Sequence, residues 1–197
     1  HRLVHYEGCI HDRRYADCTD MESRMYAKPK EIVEYLEGNP VKPYISCEYM
    51  HAMGNSCGGL LRYQELEERY EKYQGGFIWD FVDQALLTQN ENGTKTLKYG
   101  GDFDERATDY HFCGNGLLFA DRSVTPKMQE IKYLFQDVLI ELTKERVTLK
   151  NRFLFDDLSD CVMRVWAACE ETILYEEMIT DIQTPCGGLR SIEIAMD

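Results

Sequence analysis

The sequence has no C-x-x-C pair, no long apolar run and a shortage of basic residues, and each absence removes a class of protein. Its eight cysteines stand at 9, 18, 47, 57, 113, 161, 169 and 186. Without closely spaced pairs, a structural zinc site is not expected. A disulfide framework belongs to shorter secreted chains that lack a core. Cys47 and Cys161 fall within or beside apolar strands, so buried free thiols in a reducing cytosol are the expectation. The longest apolar runs, such as Cys161-Val162-Met163 and Gly75 to Ile78, are far too short to span a bilayer. Lys and Arg number 22 against 35 Asp and Glu, a net charge of −13. That balance argues against nucleic acid as a partner, since phosphate backbones need clustered cations. No internal repeat or low-complexity segment occurs. The sequence starts at His1 without Met or a signal-peptide pattern, and a cut start is expected from this.

With 44% hydrophobic, 12% aromatic and 29% charged residues, the 197-residue chain has a globular composition. Short apolar runs alternate with amphipathic segments over its first two thirds. Strands are expected at Leu3 to Tyr6, Tyr44 to Cys47 and Phe77 to Phe81. Helices are expected at Lys30 to Glu37 after Pro29, with Ile32, Val33 and Leu36 on one face, and at Leu60 to Tyr73, ended by Gly75-Gly76. Near-continuous apolar strands separated by helices indicate parallel sheet. After about Tyr133 the pattern changes to strict alternation. Strand candidates are Val138 to Leu142, Val147 to Leu149, Cys161 to Ala168, Ile173 to Ile179 and Leu189 to Ala195. Such alternation indicates antiparallel sheet with one wet face, hence a β-sandwich. The expected boundary lies at residues 133 to 137.

Three segments could carry chemistry. Tyr44-Ile45-Ser46-Cys47-Glu48-Tyr49-Met50-His51 delivers Glu48 at the C-terminal end of a buried strand, where parallel α/β folds open their active sites. Glu48 there is a nucleophile or base, with His51 to bind a hydroxyl, or else an ordinary strand-end acid beside a loop histidine. Trp79, in Gly75 to Gln84, either stacks on the apolar face of a sugar or belongs to the core. Gly100 to Phe103, and Phe112-Cys113-Gly114-Asn115-Gly116, offer backbone carbonyls and an amide oxygen to a ligand or cation, or simply make tight turns. Asn92-Gly93 is a turn signal.

The runs Cys47 to Ser56, Gly75 to Gln84, Gly100 to Phe103 and Phe112 to Arg122 together resemble large bacterial β-galactosidases of glycoside hydrolase family 2. The likeness extends from about Arg2 to Lys132. It implies an α/β fold, the C-terminal half of a (β/α)8 TIM barrel (strands 5 to 8) over residues 1–133. A partial immunoglobulin-like β-sandwich would follow over residues 134–197. It implies that Glu48 is the nucleophile, that Tyr26 of Met25-Tyr26-Ala27 assists beside it, and that His51, Trp79 and Asn115 bind galactose. Phe112 and Asn115 would hold a sodium ion near the 6-hydroxyl. The Asp104 to His111 loop departs from the family pattern, with Ala107 where Pro is common.

Retaining glycosidases need a second carboxyl group about 5–5.5 Å from the nucleophile. The family's Gly-Asn-Glu-Ser acid/base motif is absent here, and Glu7, Asp80, Asp83 and Asp102 do not match it. The acid/base and the magnesium ligands are therefore expected upstream of His1. A whole barrel needs about 250 residues, and a whole immunoglobulin-like sandwich roughly 100. The chain is accordingly expected to be a fragment of a cytoplasmic retaining β-galactosidase, inactive by itself. Its partners would be the β-galactoside and the N-terminal remainder of an enzyme that is a homo-oligomer, with no nucleic acid or membrane. The alternatives are a non-catalytic galactoside-binding or complementing fragment, or a related family 2 β-glucuronidase or β-mannosidase.

Overall fold

The computed structural model describes residues 2–194. The chain divides into two units, His1–Leu134 and Phe135–Asp197. In the first, three parallel strands form a sheet in the order β1 (Glu22–Met25), β2 (Tyr44–Tyr49), β3 (Tyr73–Ile78). Helix α1 (Pro29–Glu37) links β1 to β2, and α2 (Leu61–Arg69) links β2 to β3. Pro29 sets the first turn of α1, and the Glu31 carboxylate accepts from the Lys28 amide at 2.6 Å, tying down the start of the helix. Ile32 and Leu36 of α1 then pack with Tyr44 and Tyr73 of the sheet and Leu66 of α2. A second cluster, Tyr49, Ala52, Cys57, Leu60, Leu117, Ile131 and Leu134, brings in α3 (Met128–Leu134).

Several sequence expectations need correction. Leu3 to Tyr6 is not a strand, and the first parallel strand is Glu22–Met25. The backbone of 3–6 is satisfied elsewhere: Val4 exchanges bonds with Asp20 through its amide (2.7 Å) and carbonyl (2.8 Å), and the Tyr6 amide donates to Thr19 Oγ1. The described residues thus contain three parallel strands and no closed barrel. Helix α2 ends at Arg69, so Tyr73 is a buried strand residue, and Gly75-Gly76 lie inside β3. A Cβ at Gly76 would meet Ser46 Cβ at 2.7 Å, so glycine lets β3 lie against β2 where their register slips. Chain 86–98 forms an antiparallel hairpin, β4 (Leu86–Gln89) and β5 (Lys95–Lys98), around the Asn92-Gly93 turn.

The second unit contains an antiparallel three-stranded sheet. Its order is β10 (Leu189–Glu193), β7 (Arg146–Asn151), β6 (Val138–Leu142). A hairpin of β8 (Met163–Cys169) and β9 (Thr172–Ile179) forms a separate two-stranded sheet in the same unit. Val147 and Leu149 of β7 share one core with Met163 and Val165 of β8, together with Leu158, Ile182 and Ile194. Fully buried Asn151 ties the loops above this core. Its Nδ2 reaches the carbonyls of Asp156 and Thr184 at 2.9 and 3.0 Å, and its Oδ1 accepts from the Phe153 amide. Ala195, expected to end the last strand, lies outside the described residues. All eight cysteines are free, but Cys161 is exposed and Cys47 only half-buried; Cys9 and Cys57 are the buried ones. No helix among the described residues is long and apolar enough to cross a membrane.

Candidate active site

The site starts from an irregularity in the central strand. Arg24 pairs with Ser46 but Met25 pairs with Glu48, so β2 carries one extra residue, Cys47, opposite β1. Such a bulge re-aims the side chains beside it. It sets Glu48 level with the end of β1, where the Tyr26 amide donates to the Glu48 carbonyl at 2.7 Å. Tyr26 has φ of 53°, so the chain turns sharply there and brings its phenol into the electrostatic reach of the Glu48 carboxylate. Partial burial and the neighbouring Glu48 both push the Tyr26 phenol up from its usual value. It stays protonated, with a hydroxyl proton available to an acceptor.

The strand start is anchored by a buried acid. Glu22, 7% exposed, accepts from Arg13 Nη1 and Nη2 at 2.7 and 2.8 Å and from Arg24 Nε at 2.8 Å. Burial alone raises a carboxyl pKa, but these guanidinium bonds outweigh it and hold Glu22 below the usual carboxylate range. Arg24 in turn lies over the rings of Tyr35 and Tyr44. Beside the nucleophile candidate, the half-buried Cys47 thiol lies in the electrostatic reach of Glu7 and Ser23. Burial, then Glu7, pushes it up to about 11.

From Glu48 the aromatic groups continue outward. The His51 ring lies 5.9 Å from the Tyr26 ring and 5.4 Å from the Phe112 ring. Trp79 joins through the backbone: its carbonyl accepts from the Ala52 amide at 2.7 Å, and its amide donates to the Tyr49 carbonyl. The Trp79–Asp80 peptide is cis. Residues 80–84 are laced to 113–118 by five backbone bonds, among them Asp80 N to Asn115 O at 2.8 Å and Leu117 N to Asp80 O at 2.9 Å. The Asp83 carboxylate also accepts from the Gly116 amide at 2.7 Å. Gly116 has no room for a side chain, since its Cβ would stand 2.1 Å from Asp83 N.

Asn115 closes the row. It is 2% exposed, its Nδ2 donates to the Phe112 carbonyl at 3.2 Å, and its Oδ1 is buried with no hydrogen-bond partner. An orphaned buried oxygen beside a main-chain carbonyl is a hard-donor pair suited to a cation or a hydroxyl. Among the described residues no group of three or more His, Cys, Asp or Glu side chains is arranged to hold a metal. The Gly100–Phe103 stretch organises itself instead: Asp102 Oδ2 accepts from the Tyr99 amide, and Glu105 accepts from the amides of Gly101 and Phe103.

Glu48 and Trp79 are thus tied in through backbone bonds, while Tyr26, His51 and Phe112 are linked ring to ring and Asn115 through the Phe112 carbonyl. Sequence reasoning missed Lys127, whose ammonium donates to the Ala52 carbonyl at 2.6 Å, and the Asp83–Gly116 bond. For Lys127 no local signal exists. For Gly116, the Asn115-Gly116 pair hinted only at a turn.

A parallel sheet with a carboxylate, a phenol, a histidine and an indole at the C-terminal ends of its strands has the layout of an α/β-barrel enzyme domain. Residues 1–140 match the model of the family described as glycosyl hydrolases family 2, TIM barrel domain. The chain belongs to that family. Among curated relatives, it is 55% identical over 176 residues to the β-galactosidase of Halalkalibacterium halodurans, covering 89% of this chain and 17% of that protein. It is 58% identical over 154 residues to the β-galactosidase of Clostridium acetobutylicum, with 78% and 17% covered. It is 57% identical over 136 residues to the β-galactosidase large subunit of Leuconostoc lactis, with 68% and 22% covered. The chain therefore spans only about a sixth to a fifth of the length of these relatives.

Proposed function

We propose that this chain supplies the nucleophile-bearing part of a retaining β-galactosidase. The observation that carries the reading is Glu48 at the tip of the central parallel strand, with Tyr26 fastened beside it through the 2.7 Å amide-to-carbonyl bond and the His51 and Phe112 rings ranged next to them. The names and 55–58% identities of the relatives support the galactoside as substrate. Glu48 attacks the anomeric carbon, the glycosidic bond breaks, and a covalent galactosyl ester forms on the carboxylate. A second carboxyl group, contributed by another part of the full-length protein, protonates the departing oxygen and then activates water to cleave the ester. Tyr26 holds one Glu48 oxygen by a charge-assisted bond and so aims the other. His51 binds a sugar hydroxyl, and Trp79 floors the sugar with its indole face.

The orphaned Asn115 Oδ1 and the Phe112 carbonyl suit a sodium ion. A bound sodium ion would supply an electrostatic anchor for the 6-hydroxyl. Magnesium, with ligands in other parts of the enzyme, and cytoplasmic, homo-oligomeric assembly complete the proposal. So does an immunoglobulin-like class for the second unit, which its two antiparallel sheets on one core support.

Treating the full-length protein with a 2-deoxy-2-fluoro-β-galactoside and mapping the labelled peptide tests this. A label on Glu48 is expected, while the 197-residue chain alone hydrolyses aryl galactosides negligibly. Turnover with the label on another residue refutes the role of Glu48. Sugar binding without turnover makes the protein a carbohydrate-binding module, and preference for a glucuronide or mannoside moves it to a sister activity.

A further inference from the structure

We propose that Lys127 is a positioning residue that fixes the His51 loop; this rests on the reading that His51 contacts the sugar. The chain leaves β2 through a φ of 52° at Met50, which a non-glycine residue does not favour by itself, and turns again at Gly54 (φ 63°), where glycine adopts it freely, on either side of His51. Their carbonyls are held from outside. The Cys57 thiol donates to the Met50 carbonyl at 3.1 Å, and Lys127 Nζ donates to the Ala52 carbonyl at 2.6 Å and approaches that of Gly54 at 3.4 Å. Ala52 is fully buried, and the Lys127 ammonium is the donor that satisfies its carbonyl.

The clasp comes from a rigid base. Two residues before Lys127, the Thr125 hydroxyl donates to the Leu117 carbonyl at 2.6 Å, and the Leu117 amide donates to the Asp80 carbonyl at 2.9 Å. Val124 bridges Leu118, which bridges Val82. Lys127 therefore grips the loop after Glu48 from the same framework that carries Trp79 and Asn115. The ammonium sets the spacing between His51 and those two residues. Lys127 works through backbone carbonyls, and its cost on removal falls on sugar binding rather than on bond cleavage.

The test uses the full-length protein with K127M, which keeps the stem, K127R, which keeps the cation, and K42M. Lys42 clasps the carbonyls of Ala16 and Thr19 in the same manner away from residues 50–54, and so reports the loss of any lysine clasp. K127M is expected to raise KM for an aryl galactoside about tenfold with kcat within about threefold of wild type. K127R returns KM to within about threefold, and K42M leaves it unchanged. Amide exchange of the peptide spanning 50–57 is expected to quicken about tenfold in K127M but not in K42M. If K127M does not fold, K127Q, which keeps a donor without the charge, is measured in its place. Unchanged exchange and KM overturn the proposal, and so does lowered stability with kcat and KM moving together and no rescue by K127R. A wild-type protein inactive on β-galactosides would refute the proposed function instead, and the exchange comparison would still decide the role of Lys127.

Discussion

Replacing Glu22 by Gln removes the charge that anchors β1 while keeping its shape. Three charge-assisted bonds meet on the Glu22 carboxylate, from both Arg13 Nη atoms and from Arg24 Nε. Losing one partner of a fully buried ion pair costs about 3–5 kcal/mol. The structure argues for less, because the Arg13 side chain is 52% exposed and turns to water when released. Arg24 is 25% exposed and covered by Tyr35 and Tyr44, so it alone bears the full loss. One buried charged bond is worth about 1.5–3 kcal/mol, and about 2 kcal/mol is expected for E22Q at pH 7.

The pH dependence has a defined sign. The folded pKa of Glu22 lies below its unfolded value, so its contribution is full above about pH 5 and fades as pH falls through the folded value. The difference between wild type and E22Q must therefore shrink on acidification. Urea unfolding followed by fluorescence reads this directly. Trp79 and Trp166 are the chain's two tryptophans, one in each unit, so a W166F background makes the signal report the first unit. A difference below about 0.5 kcal/mol at pH 7 would show that the ion pair contributes nothing net, within the range seen for exposed pairs. A difference that persists undiminished at pH 3 would show that the charge is not its origin.

Three further outcomes are expected. Y26F in the full-length enzyme removes the donor proposed for Glu48 and lowers kcat about 10- to 100-fold, the loss of one charged hydrogen bond, with KM less affected; equal kcat would refute that role. G116A drives a methyl group into the backbone atoms of Asp83, Val82 and Leu118, none of which has a flexible end to yield. It is expected to cost about 3 kcal/mol, at the top of the usual overpacking range, measured by the same urea titration. Iodoacetamide at pH 8 should label exposed Cys18, Cys161, Cys169 and Cys186 but not Cys47. The Cys47 thiol, pushed up to about 11 by burial and Glu7, is almost wholly protonated there and becomes reactive only as pH approaches that value; mass spectrometry of labelled peptides follows it.

Much of the local structure was legible because it depends on neighbours in the chain. Pro29 and the Ile32/Leu36 spacing mark α1, Asn92-Gly93 turns the β4–β5 hairpin, and alternation marks the five strands described after residue 135. Leu3 to Tyr6 carries the same apolar texture as a strand, yet Asp20 and Thr19 take its backbone bonds. Nothing within those four residues distinguishes the two outcomes.

The sequence by itself determined the family and the position of Glu48 at a strand tip, because motif order and strand polarity are properties of the chain. It did not determine that Cys47 bulges, that the Tyr26 amide closes on the Glu48 carbonyl, or that Lys127 closes on Ala52 across 75 positions. Those are decided by tertiary structure. Register and long-range hydrogen bonds depend on which backbone groups the packed core leaves unpaired, and a buried carbonyl must take whatever donor the fold brings to it.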